Sequence, residues 1–146
     1  MHSILEDTDG TIWVSSIASG LFFFDRNEKQ FRPYKDAQIG SINGMVSGGK
    51  DVLWLATLQN GLIKLKTSSG QMDRYQHDPT DPHSISSNNI KTVVIDHEGN
   101  LWAGARSNGL NRMIVEQGKV SFDRDLHEPM DPLSLYNNLS FKLYLD

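Results

Sequence analysis

The chain has 146 residues, a net charge of −4 and no cysteine, and 38% of its residues are hydrophobic. This length fits one domain, and the lack of cysteine excludes disulfides, zinc–thiolate sites and thiol catalysis. Charges of both signs are interspersed without a basic stripe, so we expect no nucleic-acid partner. The sequence contains no run of 18 apolar residues, so we expect this segment itself to make no membrane contact.

A short block centred on tryptophan occurs three times along the chain. The tryptophans are Trp13, Trp54 and Trp102, at spacings of 41 and 48 residues. Each is followed seven residues later by a Gly-Leu pair, namely Gly20-Leu21, Gly61-Leu62 and Gly109-Leu110. Repeats of this period are typical of propeller blades.

The first repeat unit is expected over about residues 1–37. Asp7-Thr8-Asp9-Gly10 has aspartate first and glycine fourth, which is the preference of a type I turn. Trp13 anchors the next strand and is followed by the small residues Ser15 and Ser16. A large side chain beside small ones predicts an interlocking contact with a neighbouring sheet.

The second unit is expected over about residues 43–76 and departs from the first at one turn. Gly48-Gly49-Lys50-Asp51 stands where the first unit has Asp-x-x-Gly. After the tryptophan strand comes Asn60-Gly61, and Asn-Gly is a strong hairpin signal because both residues tolerate positive φ.

The third unit, about residues 88–125, shows the pattern most clearly. We predict its four strands at Ile90–Asp96, Asn100–Ala105, Gly109–Ile114 and Lys119–Asp123. β-Branched residues dominate the first of these strands, as pleated and buried positions favour. The turn Asp96-His97-Glu98-Gly99 then repeats the type I preference.

The linker before the third unit recurs after it. A shift of 50 residues aligns Asp81-Pro82 with Asp131-Pro132 and Asn88 with Asn138. Residues 138–146 are therefore expected to be the first strand of a fourth unit, and the chain to be a fragment of a longer array.

These units predict an all-β fold of β-propeller blades with four antiparallel strands each, forming a partial propeller. A single four-stranded meander cannot bury both faces alone, so such sheets stack radially. Three blades are fewer than the roughly four to eight of a closed ring. Open blade edges invite pairing with another chain, so we expect a homo-oligomer formed through them.

The sequence is similar to the two-component regulator propeller repeat, whose pattern is D-x-x-G-x-L-W-x-G-x, then N-G-L and a D-P-x-S-L-x-x-N linker. Asp96 through Leu110 carries the repeat, and Asp81 through Asn88 matches the linker. The resemblance implies a periplasmic sensor region of a hybrid two-component histidine kinase of the Bacteroides type. It also implies an oligosaccharide ligand, and a kinase domain that lies outside this chain.

Candidate ligand contacts lie beside the turns that follow the tryptophan strands. In propellers these loops share a face with the connections between blades, and they vary here while the scaffold residues stay constant. The predicted contacts are Gln59, Asn60, Arg106, Ser107 and Asn108. Ordinary surface variation would produce the same pattern, so that alternative stays open. For the three tryptophans we expect packing rather than stacking on sugars.

Other chemistry finds little support in the sequence. The metal-capable linker residues His77, Asp78, Asp81 and His83 are not repeated, because Leu133 replaces His83 in the second linker. A calcium loop starting at Asp7 would need glutamate at its twelfth position, which is Ala18. With no nucleophile motif either, we expect no catalytic residue, no metal site and no cofactor.

Two other functions remain open. Propellers host both binding and catalysis, so the fold alone does not choose between them. The open edges suit a scaffold that binds another protein, and a propeller-based lyase or glycan-processing enzyme is the third alternative.

Overall fold

The computed structural model describes residues 2–34 and 39–125, together with Met130. Over these ranges the chain forms twelve β-strands and no helix, which confirms the all-β prediction. None of the residues described forms a helix that could serve as a membrane span. The strand predicted at 138–146 lies outside the described residues.

The twelve strands form three antiparallel sheets, each with four strands in sequence order. The first sheet contains β1 (Ser3–Glu6), β2 (Ile12–Ser16), β3 (Gly20–Asp25) and β4 (Gln30–Pro33). The middle sheet contains β5 (Ile42–Ser47), β6 (Val52–Thr57), β7 (Leu62–Lys66) and β8 (Met72–Tyr75). The third sheet contains β9 (Ile90–Ile95), β10 (Leu101–Ala105), β11 (Leu110–Glu116) and β12 (Lys119–Asp125).

The sheets stack in sequence order through their first strands. Strand β5 packs against β1 and β2, and β9 packs against β5 and β6. The middle sheet is therefore covered on both faces. Its contacts divide the buried residues into two clusters, one on each side.

Each cluster is built around the tryptophan of one sheet and the small or aliphatic residues of the next. Trp13 shares one cluster with Leu53, Leu55 and Ile63 of the middle sheet. Trp54 shares the other with Val93 and Ala103 of the third sheet. Only 4% of Trp13 and 6% of Trp54 is exposed, so the predicted packing role of these tryptophans is confirmed.

The turn before each tryptophan strand follows the sequence prediction in two of the three repeats. Gly10 N donates to Asp7 O at 3.0 Å, and Gly99 N donates to Asp96 O at the same distance. The hairpin prediction was wrong in one respect. Gly61 has φ +71°, but Asn60 does not adopt a positive φ. Four residues separate β6 from β7, and this longer loop needs positive φ at its glycine alone.

Candidate ligand-binding face

The predicted ligand contacts lie in two loops, residues 58–61 between β6 and β7 and residues 106–109 between β10 and β11. The side chains of Gln59, Arg106, Ser107 and Asn108 are exposed, whereas Asn60 is partly buried. Four of the five predicted residues are therefore accessible to a ligand from solvent.

One linker joins the two loops. Gly61 N donates to Asn88 O at 2.9 Å, and Arg106 N donates to Asn89 O at 3.1 Å. Because Asn88 and Asn89 are adjacent, the linker between the middle and third sheets holds both loops on the same side of the stack. The predicted sharing of a face with the inter-blade connection is thus confirmed, while ligand binding by these residues stays a prediction.

Asn60 has a structural role, because it forms hydrogen bonds within its loop and to the segment before β5. Its backbone N–H donates to Thr57 Oγ1 at 2.9 Å, and its side-chain amide donates to Ile39 O at 3.2 Å. Thr57 Oγ1 in turn donates to Gly61 O at 2.7 Å. These bonds close the loop on itself and tie it to the segment before β5. Gln59 is then the exposed side chain that this loop offers.

The corresponding loop of the third sheet lacks this hydroxyl brace. Ala105 occupies the position of Thr57, and three consecutive exposed side chains follow it. Arg106, Ser107 and Asn108 together offer a guanidinium, a hydroxyl and an amide. Groups of this kind both donate and accept hydrogen bonds, apart from the guanidinium, which only donates.

Sequence reasoning placed the linker on this face but did not predict the asparagine hydrogen bonds that hold it there. Asn88 Oδ1 accepts from His77 N at 2.7 Å, so the asparagine closes the linker on itself. Ser86 forms hydrogen bonds with the fully buried Asn111 of β11. Asn111 Oδ1 accepts from Ser86 N at 2.8 Å. Asn111 Nδ2 also donates to Ser86 Oγ at 2.9 Å. The recurring Asn88/Asn138 pair was the available sequence signal for this role.

The Asp-Pro part of the linker covers the outer edge of the third sheet. Phe122 N of β12 donates to His83 O at 2.8 Å. Arg124 of the same strand donates through Nε to Ser84 O at 2.8 Å and through Nη2 to Asp81 O at 3.1 Å. An edge strand presents unpaired backbone groups, and here the linker occupies some of them.

The acidic residues of this linker are engaged in turns. Hydrogen bonds from the Thr80 hydroxyl and backbone N–H hold the pKa of Asp78 below its usual value. Among the described residues, no three His, Cys, Asp or Glu side chains are grouped so that they could hold a metal ion. The Asp81 carboxylate accepts from His83 N at 2.9 Å, and His77 Nδ1 lies 2.9 Å from Ile85 O.

The chain is similar in sequence to a known family and to a known protein. The profile of the family described as two component regulator propeller matches residues 84–107, which contain the end of the linker, β9 and β10. Histidine kinase P4 of Formosa agariphila is 26% identical over 147 residues, which cover 90% of this chain and 11% of the kinase.

Solved structures with the same fold include two extracellular domains from B. thetaiotaomicron. The extracellular domain of BT4673, described as a hybrid two component system, superposes with a TM-score of 0.75 at 21% identity, covering 98% of this chain and 18% of that one. The extracellular domain of BT3049 gives a TM-score of 0.69 at 23% identity, covering 84% and 18%. The virginiamycin B lyase of Staphylococcus aureus gives 0.61 at 17% identity, covering 87% and 41%.

These overlaps are partial on the side of the known proteins. The chain spans about a tenth of the length of the curated kinase and about a fifth of each B. thetaiotaomicron domain. The likeness to the solved structures establishes the propeller fold.

Proposed function

We propose that this chain, which carries the repeat of the two-component regulator propeller family, is a ligand-sensing extracytoplasmic segment of a two-component sensor histidine kinase. The observation that carries the proposal is the family match over residues 84–107, in a chain whose relative at 26% identity is a histidine kinase. The periplasmic location is proposed because the similar B. thetaiotaomicron domains are described as extracellular. Catalysis belongs, in this proposal, to a kinase domain elsewhere in the parent protein.

The proposed ligand is an oligosaccharide, bound at the face that Gln59 and residues 106–108 share. Sugar hydroxyls need both donors and acceptors, and amide, hydroxyl and guanidinium groups supply them. The linker ties both loops to adjacent carbonyls, at Asn88 and Asn89. A ligand that contacts both loops would therefore affect the packing at the junction between two sheets. Signal would then pass as a small repacking of sheets or a rearrangement of a dimer.

The parent gene tests the signalling role. We expect the reading frame around this segment to encode further Trp/Gly-Leu repeats, a membrane-spanning helix and a histidine kinase. A reporter enzyme that is active only in the periplasm, inserted into this segment of the full-length parent protein, should be active in cells of the parent species. A frame that encodes no kinase, or a reporter that stays inactive, would overturn the sensor proposal.

A glycan array tests the ligand. The probe is the purified segment, and the variant combines Gln59→Ala with Arg106→Ala. The matched control is Gln71→Ala with Arg26→Ala, which removes the same two side-chain types from the β7–β8 and β3–β4 turns, at the opposite ends of the strands from the 58–61 and 106–109 loops. We expect oligosaccharide binding that the loop variant loses and the control keeps. Equal binding by both variants would show that this face does not bind the oligosaccharide.

We also propose that the segment associates with a second copy of itself, and one observation favours a sheet face as the contact. Ile4 is 62% exposed and Phe31 is 49% exposed on the outward face of the first sheet. The repeat places them at the positions of Met45 and Met72 in the middle sheet. That face of the middle sheet receives Trp13. The Trp102 face of a second copy is the equivalent partner, since Trp102 is only partly buried.

Sedimentation velocity at increasing protein concentration tests this association. We expect a dimer or larger species that Ile4→Lys with Phe31→Lys disrupts. Val115→Lys with Ile17→Lys is the control, because these residues are also exposed, at 57% and 46%, but do not occupy the positions that receive a tryptophan. A wild-type chain that sediments as a monomer at every concentration would overturn the proposal.

A further inference from the structure

The first strands of the three sheets converge on a cleft of about 470 Å³. Its lining comes from β1 with the residue before it, from β5 and from β9. This cleft, called the axial cleft below, is separate from the loop face, because it includes none of the five predicted ligand contacts.

Three polar residues occupy equivalent positions in the axial cleft. The repeat spacings of 41 and 48 residues place His2, Asn43 and Lys91 in register with one another. The pairing of β5 with β6 shifts register between Ile42 and Gly44, so Asn43 is the extra residue of a bulge. The pairing of β9 with β10 skips Lys91 in the same way. Bulges redirect side chains and are common beside functional sites.

Asn43 fixes the centre of this row. It is 7% exposed, and its side-chain amide donates to Ile90 O of β9 at 2.8 Å. The backbones of β5 and β9 also run close together here, since a β-carbon on Gly44 would lie 3.7 Å from both Lys91 O and Thr92 Cα. The lysine therefore projects from a strand that is held at a fixed place beside Asn43.

The axial cleft differs in charge from the chain as a whole. The whole protein carries a net charge of −4. Among the residues that the structure describes, those that line the cleft include His2 and Lys91 but no Asp or Glu. Ser3, Asn43 and Thr92 are the other polar residues of its lining. A concave site with a lysine and no carboxylate among its described lining residues favours anions.

We propose that the axial cleft is an oxyanion site, which takes a carboxylate or sulfate group of a small ligand. Lys91 supplies a charged donor on one side of Asn43, and His2 supplies a ring N–H on the other. Hydrogen bonds from a charged donor to an oxyanion are stronger than those between neutral groups. The site lies on the innermost strands, whereas the loop face lies at the strand ends, so either site can exist without the other.

Titrations followed by ¹⁵N–¹H NMR test the site, with sodium sulfate, glucuronate and glucose as separate probes. We expect sulfate, glucuronate or both to shift the amide signals of residues 43–46 and 91–94, and glucose to leave them in place. Response to sulfate alone assigns a sulfate ligand, and response to glucuronate alone assigns a carboxylate. If neither anion shifts these signals more than glucose does, the proposal is wrong.

A pair of charge-matched variants separates a built site from general salt effects. Lys91→Gln should weaken binding about tenfold or more, as expected for the loss of one charge-assisted hydrogen bond. Lys50→Gln removes the same charge from an exposed turn outside the cleft and should leave the affinity unchanged. Equal weakening in both variants would show only non-specific attraction and overturn the proposal. The spectra also report whether Lys91→Gln is folded.

Discussion

The second and third repeats build the same four-stranded sheet with different turns before the tryptophan strand. In the third repeat, the Asp96 carboxylate accepts from Trp102 Nε1 at 2.8 Å and from Asn100 N at 2.8 Å. The first repeat has the same bond, from Trp13 Nε1 to Asp7 at 2.7 Å. The second repeat has Gly48 at this position, so its tryptophan is placed without a carboxylate.

The aspartate of the second repeat has moved three residues along the chain. Asp51 stands where the other repeats have glycine, with φ +61°. Its carboxylate accepts from Thr67 Oγ1 at 2.8 Å and from Ser68 N at 2.6 Å. It therefore binds the facing turn between β7 and β8 instead of the indole.

Steric crowding explains why position 48 is glycine rather than aspartate. A β-carbon there would lie 2.7 Å from Trp54 Nε1 and from Val52 Cγ1. Trp54 is held by packing instead, with the Tyr75 ring stacked 5.9 Å from its centroid. The comparison shows that burial between two sheets positions one tryptophan, whereas a hydrogen-bonded turn positions the more exposed Trp102.

The largest effect should come from removing the two indoles in turn. Trp54→Ala should lower the free energy of unfolding by about 3–5 kcal/mol, because the buried ring leaves a cavity between the middle and third sheets. Trp102→Ala should cost less than half as much, since part of its surface is already in solvent. Urea unfolding followed by far-UV circular dichroism measures both. Equal losses would contradict a difference in how the two rings are held.

Two glycines give the next comparison. An alanine at Gly61 would meet positive φ and would overlap the Tyr75 carbonyl oxygen. We expect Gly61→Ala to cost about 2–5 kcal/mol, from about 1–2 for the left-handed backbone and about 1–3 for overpacking. Gly99 also has positive φ, at +85°, but a β-carbon there meets no described atom within 4 Å.

Gly99→Ala is therefore the control, with an expected loss of about 1–2 kcal/mol from backbone conformation alone. Thermal unfolding of the two variants under identical conditions gives the difference. A Gly61→Ala variant no less stable than Gly99→Ala would show that the Tyr75 carbonyl moves away at little cost.

Acid should destabilise the third repeat by protonating Asp96 in the turn before β10. The hydrogen bond from the Trp102 indole, followed by that from the Asn100 side chain, lowers the pKa of Asp96 from 3.8 to about 2. Its stabilising effect is therefore complete above about pH 3.8 and is lost as the pH falls through about 2. Carboxyl ¹³C titration should show this pKa in the wild type and a value nearer 3.8 in Trp102→Phe, which lacks the donor. An unchanged pKa in Trp102→Phe would exclude the indole as the main cause.

Much of the fold was predictable because its signals are local. The order of the strands could be predicted from the turn residues, the repeated tryptophan and the small residues after it. In the third unit the structure places every end of β9 to β12 within two residues of the predicted bounds, and the largest differences are at the ends of β11 and β12, which reach Glu116 and Asp125. Hairpin pairing joins neighbours in sequence, so a local pattern is enough to specify it.

The contacts of the site were harder to predict because they join distant residues. The two loops are about 48 residues apart in sequence, and both donate a backbone hydrogen bond to the linker, at Asn88 and Asn89. In the axial row, Asn43 and Lys91 lie at bulges, and bulges follow from strand register rather than from residue type. Arg124 binds Ser84 O across 40 residues, and the sequence offered no signal for that pair.

The smallest expected effect concerns the displaced aspartate. Hydrogen bonds from the Ser68 and Thr67 hydroxyls hold the pKa of Asp51 below its usual value. Asparagine tolerates positive φ, so Asp51→Asn keeps the backbone and removes the negative charge from these bonds. We expect a loss of stability at pH 7 smaller than that of Trp102→Ala, and a difference from wild type that narrows as acid protonates Asp51. Urea midpoints at pH 7 and pH 3 measure it. A midpoint at pH 7 equal to that of the wild type would mean that the charge adds nothing to this turn, leaving the backbone bond from Thr67 N to Asp51 O as its main support.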